Sequence, residues 1–268
     1  MAISFIEFVK FGREQRLAEN PVLHRAFLFA FGPLGVHTRI RTARVINKVV
    51  TLDLPENAKI LDVACGHAYG SFYLAKKFKK YRILALDIDM PVIRKNIQAQ
   101  TRLGLDNLAF SQQDAEHISA SNEYDLIICI DYLEHIMDDV GALRSFKQAL
   151  KSQGKLVIHV PKKHQEHSRF LPVFKNHITE DHVRDEYLPE EIEEKLRDAG
   201  YDILSLSYGF GRWGEISFEL NNLFWENKFL RTIAAIFFFP LSLWLGYIDT
   251  KQVHKAGNSI LVVVKPKL

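Results

Sequence analysis

The sequence predicts an α/β protein built on a doubly wound, mostly parallel sheet, and three observations carry that prediction. From Ala58 to Val160, short apolar runs alternate with helix-length amphipathic segments. The runs are apolar on both faces, as strands of a parallel sheet covered by helices must be. In ILDVACGHAYGSFYLA (60–75) a strand, a tight glycine turn and a helix follow one another, which places a ligand at the carboxyl end of the first strand.

The strand runs are KILDVA (59–64), YRILALDID (81–89), LAFSQQD (108–114), YDLIICID (124–131) and GKLVIHV (154–160), with helices expected over 70–78, 91–103 and 138–151. A further helix, LPEEIEEKLRDAG (188–200), stops at Gly200 and leads into YDILSLS (201–207); SILVVVKP (259–266) supplies the last strand. Residues 1–50 carry apolar side chains at helical spacing (Ile6, Val9, Leu23, Phe27, Phe31), broken by Pro21 and Gly32-Pro33-Leu34-Gly35, as two or three short helices would. The chain thus divides into an N-terminal helical cap (1–50), an α/β core (51–208), an apolar helical insert (209–257) and a last core strand (258–268).

Bulk properties narrow the function. The 268 residues are 47% hydrophobic with a net charge of +3, and the isoelectric point is about 8.7. The basic clusters KKFKKYR (76–82) and PKK (161–163) are short, and no basic stripe marks a nucleic-acid binder. Cys65 and Cys129 lack the number for a disulfide framework and the spacing for a metal site, so reduced, buried thiols are expected. MAISFIEFVKFGREQ lacks the basic start, long apolar run and cleavage site of a signal peptide. A cytoplasmic location is the expectation.

In the glycine turn Gly66, Ala68 and Gly70 recur at every second position, with Ala64 at the entry; small residues there let backbone approach a ligand. The dinucleotide fingerprint would need a glycine at position 71, where Ser71 stands, so NAD and FAD are disfavoured. Asp62, just before the loop, would repel a pyrophosphate but suits a cationic sulfonium and an α-amino group. Asp87 ends the second strand, where a carboxylate can accept both ribose hydroxyls. Asp114 ends the third, placed to accept from an adenine amino group beside the backbone of Ala115, and Asp131 ends the fourth. Acids at four successive strand ends line one edge of one sheet.

Taken in order, ILDVACGHAYG, ALDID, QQDAEHI, YDLIICIDYLEHIMD and GKLVIHVPK resemble the successive motifs of class I S-adenosylmethionine-dependent methyltransferases, in particular the group that includes the ubiquinone-biosynthesis O-methyltransferases and small-molecule methyltransferases. The resemblance spans about residues 45–208. It implies a seven-stranded sheet of order 3-2-1-4-5-7-6 with an antiparallel seventh strand, S-adenosylmethionine as cofactor, and cofactor contacts from Asp62, Gly66, Asp87, Ile88, Asp114, Ala115 and Asp131. Ala68 departs from the pattern, since glycine is commoner there; alanine is small enough for binding to survive.

Methyl transfer from a sulfonium is an in-line displacement that mainly needs alignment, and a hydroxyl acceptor also needs a base. Glu134 and His135 after the fourth strand, and His164 and His182 after the fifth, are the candidates. His135 alternatively begins a helix and bonds its own backbone. Five of the 11 histidines (His159, His164, His167, His177, His182) crowd one stretch. His164 and His167 with Glu166 or Asp185 match no zinc template, and no metal is expected. The segment EDHVRDEY (180–187) reads either as a capping cluster with internal ion pairs or as an acceptor-side wall.

Residues 208–258 stand where the family commonly has a short hairpin. Thr232–Ile248 carries no charge, close to the ~17–25 residues of a membrane span. Both flanking strands must return to one sheet, which argues against spanning. The insert is then a helical lid over an apolar acceptor, a membrane-surface contact anchored by Trp225, Lys228, Arg231 and Trp244, or a homodimer interface. The function expected is methyl transfer to a lipophilic or lipid-like small molecule, at oxygen. The alternatives are a soluble N- or C-methyltransferase, or a catalytically silent interaction module.

Overall fold

A computed structural model describes residues 35–163, 183, 184, 186–224 and 227–267. The helices expected within 1–34, and His164 and His182, lie outside the described residues. The sheet has seven strands in the order β3-β2-β1-β4-β5-β7-β6: β1 (Lys59–Val63), β2 (Arg82–Asp87), β3 (Leu108–Gln112), β4 (Tyr124–Ile130), β5 (Leu150–Pro161), β6 (Tyr201–Gly209) and β7 (Ser259–Pro266). Strand β7 runs antiparallel to both β5 and β6. The first five strands pair in parallel.

Helices cover both faces, as the doubly apolar strands require. On one face α4 (Asp139–Ala149) and α5 (Pro189–Asp198) bury Leu143, Phe146, Ile192 and Leu196 against Ile127, Leu156 and Val262. On the other, α1 (Val36–Val49), α2 (Tyr69–Lys77) and α3 (Met90–Leu103) bury Ile46, Phe72 and Ala99 with Ile60, Ala85 and Val157. Helix α1, within the segment read from sequence as the N-terminal helical cap, packs directly on the core through Val45, Ile46 and Val49. Cys129 is fully buried in the first cluster, whereas Cys65 is only half-buried against the second; both are free thiols.

The main departure in element bounds is β5, which starts at Leu150 rather than 154, immediately after α4. An irregular register beside Tyr124 absorbs the extra residues. Gly154 is obligatory there, since a Cβ would stand 2.9 Å from the carbonyl oxygens of Lys151 and Tyr124.

The insert folds as α6 (Arg212–Asn221) and α7 (Lys228–Lys251), which pack on each other and on α1. Val36, Ile40 and Ala43 of α1 meet Phe210 and Leu243, and the Arg39 guanidinium lies 5.0 Å over the Phe239 ring. At the far end of α7, Asp249 is completely buried. It accepts from Arg44 at 3.0 Å and from the Gly214 backbone at 3.0 Å, and pairs with His254 at 3.1 Å. Burial alone would raise its pKa; His254 and Arg44 outweigh that and hold the carboxyl below its usual range. Gly214 permits this clasp, because a Cβ there would reach 2.9 Å from the Asp249 carboxyl carbon. The opposite face of α7 exposes Phe229, Ile233, Ile236, Phe237, Leu241 and Trp244 at helical spacing. No described helix is long and apolar enough to cross a membrane.

Candidate active site

The turn after β1 is built from left-handed backbone: φ is +50° at Ala64, +50° at Gly66 and +52° at Ala68. That conformation costs an L-residue about 1–2 kcal/mol, so glycine is commoner at position 68 for backbone handedness rather than size alone. The neighbouring strand and helix pin the turn. Cys65 donates its N–H to Leu86 O at 2.8 Å, Gly66 donates to Asp87 Oδ2 at 2.7 Å, and Asn96 Nδ2 of α3 donates to Gly66 O at 2.8 Å. A Cβ on Gly66 would meet nothing within 4 Å, so this residue fronts open space. Gly70 does not: its Cβ would press Ile46 of α1 at 3.1 Å, which makes it a helix-packing residue.

Asp87 accepts from Gly66 N and, through Oδ1, from Asp89 N at 2.9 Å. A carboxylate offers about four acceptor positions, so about two remain for a vicinal diol. Ile88 beside it is 69% exposed, an apolar surface with no protein cover. Asp114 accepts from Glu116 N through Oδ1 at 3.0 Å, and Ala115 is buried behind it. A nucleoside carrying a cationic sulfonium and an α-amino group fits this donor set: diol to Asp87, base against Ile88 and Asp114, cationic end toward Asp62.

Asp62 is buried and accepts from Ser71 Oγ at 2.5 Å. Burial raises its pKa to about 7, the Ser71 bond works against the shift, and the Asp87 charge adds to it. With its folded pKa above the unfolded value, its contribution to stability falls as pH rises from about 4 to about 7. A cation bound beside it favours the ionised form. Binding of S-adenosylmethionine at pH 6 is therefore expected to release a proton, and affinity to rise with pH until about 7 and then level off. Calorimetry at pH 6 in buffers of different ionisation enthalpy checks this; equal heats in all buffers would separate Asp62 from the cation.

At the end of β4 the structure adds protein partners that the sequence reading did not include. Asp131, expected to face the cofactor, is held between Arg41 of α1 and His159 of β5. Arg41 takes Oδ2, and His159 Nδ1 lies 2.5 Å from Oδ1. Burial opposes ionisation, but Arg41, His159 and His37 outweigh it and keep the carboxyl well below its usual range. Asp131 has φ +46°, and its N–H donates to His159 O at 2.9 Å. His37 stacks on Phe210 at 4.5 Å and meets the edge of Phe218 at 5.5 Å. Burial, then the Arg41 charge, lower its pKa to about 3.

Glu134 lies in a 3₁₀ turn, Leu133–His135, and is buried. Burial first, then the Asp131 charge, raise its pKa to about 9. Both effects favour the protonated acid over the carboxylate that a base needs. His135 is exposed, its N–H donating to Tyr132 O at 3.0 Å. The described part of 180–187 makes structural pairs: Arg184 and Lys195 hold Asp139, and Tyr187 donates to Leu133 O at 3.1 Å and to Asp139 at 2.8 Å. No metal cluster occurs among the described residues. Sequence reasoning missed Arg41, His37 and the pairing of His159 with Asp131. The available signal was His37, Arg39, Arg41 and Arg44 on a helix otherwise apolar enough to be core.

Comparison with known proteins matches residues 54–222 to the model of a methyltransferase domain. Phosphoethanolamine N-methyltransferase 1 of Arabidopsis thaliana is 32% identical over 113 residues, 41% of this chain and 22% of that protein. The chain thus matches about a fifth of that relative's length. Ubiquinone biosynthesis O-methyltransferase of Rickettsia canadensis is 24% identical over 202 residues, 66% of this chain and 76% of that one. The crystal structure of the [4+2]-cyclase SpnF superposes with a TM-score of 0.59 at 16% identity, over 87% of this chain and 83% of that one, and shares the fold. With the family model covering most of the described core and the predicted strand order present, the chain belongs to the class I S-adenosylmethionine-dependent methyltransferases, through the methyltransferase domain it carries.

Proposed function

We propose that this chain transfers the methyl group of S-adenosylmethionine to a lipophilic small molecule, at oxygen. The observation that carries the cofactor half is the Asp87 carboxylate, which ties the turn after β1 to the end of β2 and keeps free acceptor positions. Ile88, Asp114 and Ala115 would border the base, Asp62 and the open backbone at Gly66 the cationic end. When bound, the cofactor supplies an electrophilic methyl carbon. The protein's part is to hold that carbon in line with the acceptor and to exclude water.

The apolar acceptor is inferred from the aromatic contacts between α1 and the insert, where His37 stacks on Phe210 and meets the edge of Phe218. The Rickettsia relative is named for an O-methyltransferase and the Arabidopsis relative for an N-methyltransferase, so the accepting atom is a direct object of test. Labelled S-adenosylmethionine incubated with fractionated lipid and polar extracts should label the lipid fraction. Label confined to polar amines would overturn the reading. Retained cofactor with no transfer to any fraction would favour a silent interaction module.

The outward stripe of α7 favours contact with a membrane surface over a lid lining, since Phe237 and Trp244 are 77% and 59% exposed. Phe237→Ser with Trp244→Ser should cut co-sedimentation with phosphatidylcholine–phosphatidylglycerol vesicles several-fold and leave S-adenosylmethionine affinity unchanged. Conversion of a dimer to monomers in light scattering would make the stripe a subunit interface instead.

A further inference from the structure

We propose that His159 is the proton acceptor on the acceptor side of this site, with Asp131 and Arg41 fixing its ring and tautomer. The inference rests on the methyltransferase reading and narrows its substrate class to acceptors that must lose a proton, a hydroxyl or an ammonium, as opposed to a carboxylate.

His159 is 1% exposed. Its Nδ1 faces Asp131 Oδ1 at 2.5 Å, while Nε2 is buried without a hydrogen-bond partner. Arg41 occupies the second Asp131 oxygen and keeps that carboxylate ionised, so it accepts from Nδ1–H. In the neutral ring with Nδ1–H turned to that carboxylate, the lone pair is on Nε2. This is the arrangement in which a carboxylate orients an imidazole for base catalysis.

A buried ring nitrogen without a partner costs stability, and Asp131 adds a left-handed backbone at the same place. Strain and an unmet polar atom gathered on one pair of side chains mark a functional position. Placement agrees. The turns that suit the cofactor follow β1 and β2, and β4 and β5 lie on the other side of β1. An acceptor approaching the methyl group from there meets the ends of β4 and β5. Among the other nearby candidates, burial first and then the Asp131 charge push Glu134 toward its protonated form, and burial first, then Arg41, lower the basicity of His37.

In the step, the acceptor's X–H proton passes to His159 Nε2 and the X lone pair forms the bond to the methyl carbon. The carbon–sulfur bond breaks with its electron pair going to sulfur, leaving S-adenosylhomocysteine. A carboxylate acceptor carries no proton at neutral pH and would need no such base.

The test uses the full chain, labelled S-adenosylmethionine and the lipid extract fraction that the wild type labels. His159→Gln should lower kcat by about 100-fold or more while the Kd for S-adenosylmethionine and the acceptor KM stay near wild type. Asp131→Asn, which loses tautomer control, should also lower kcat. The wild-type product should be a base-stable ether or amine. Turnover of His159→Gln within threefold of wild type, or a base-labile methyl ester as product, would overturn the proposal while leaving the methyltransferase reading intact. A wild type that labels nothing would overturn that reading, and the proposal with it. If His159→Gln fails to fold, His159→Asn and imidazole rescue of His159→Ala replace it. Rescue of kcat by imidazole supports a proton acceptor, and its absence in a folded variant overturns one.

Discussion

Asp249→Ala should destabilise the protein by about 3–5 kcal/mol, the range for removing one partner of a buried ion pair. The substitution leaves the Arg44 guanidinium, 11% exposed, without its carboxylate, and removes the acceptor for Gly214 N and the partner of His254. Those three contacts join α1, α6 and the end of α7, so the loss is expected to be local to the insert first. Hydrogen exchange should show α6 and α7 opening at lower free energy while β1 and β4 keep their protection. Asp249→Asn should cost less, because the amide oxygen still accepts from Gly214. Uniform loss of protection across the sheet would show that the insert is integral to the core instead of being clasped onto it.

Asp87→Ala should weaken S-adenosylmethionine binding about 10–100-fold, from the loss of charge-assisted hydrogen bonds worth roughly 1.5–3 kcal/mol. Two causes contribute. The free acceptor positions for the ribose disappear, and the Gly66 N–H loses the oxygen that fixes the turn at 2.7 Å. Calorimetric titration with S-adenosylmethionine and its demethylated product measures the effect, which should be equal for the two ligands because both carry the ribose. Unchanged affinity would remove Asp87 from the site.

What was legible in the sequence depended on how local the cause was. Doubly apolar runs such as YDLIICI and LVIHV identify the strands, because a strand buried on both faces has no other composition available. The acids at strand ends were legible for the same reason. Asp62, Asp87 and Asp114 belong to short strand–turn units whose geometry the chain sets within a few residues. The strand order followed from resemblance to a family rather than from any run taken alone.

The acceptor side was decided by tertiary structure. Asp131 looked like a fourth cofactor acid because it ends β4 as Asp87 ends β2. Its partners, Arg41 and His159, stand 90 and 28 residues away in sequence, and no local pattern encodes a contact of that separation. Glu134 and His135 read as base candidates from their place after β4, whereas the burial and the Asp131 charge that raise the Glu134 pKa come from tertiary packing. That a Cβ on Gly70 would press Ile46 of α1 is likewise a tertiary fact that the glycine spacing does not encode. The sequence by itself determined the strands, the glycine turn and the placing of acids at the strand ends, whose physics is that of alternating burial and short-range backbone geometry. Only the docking of α1 and the insert onto the sheet decided which buried charges meet, and therefore which of the remaining side chains can take a proton.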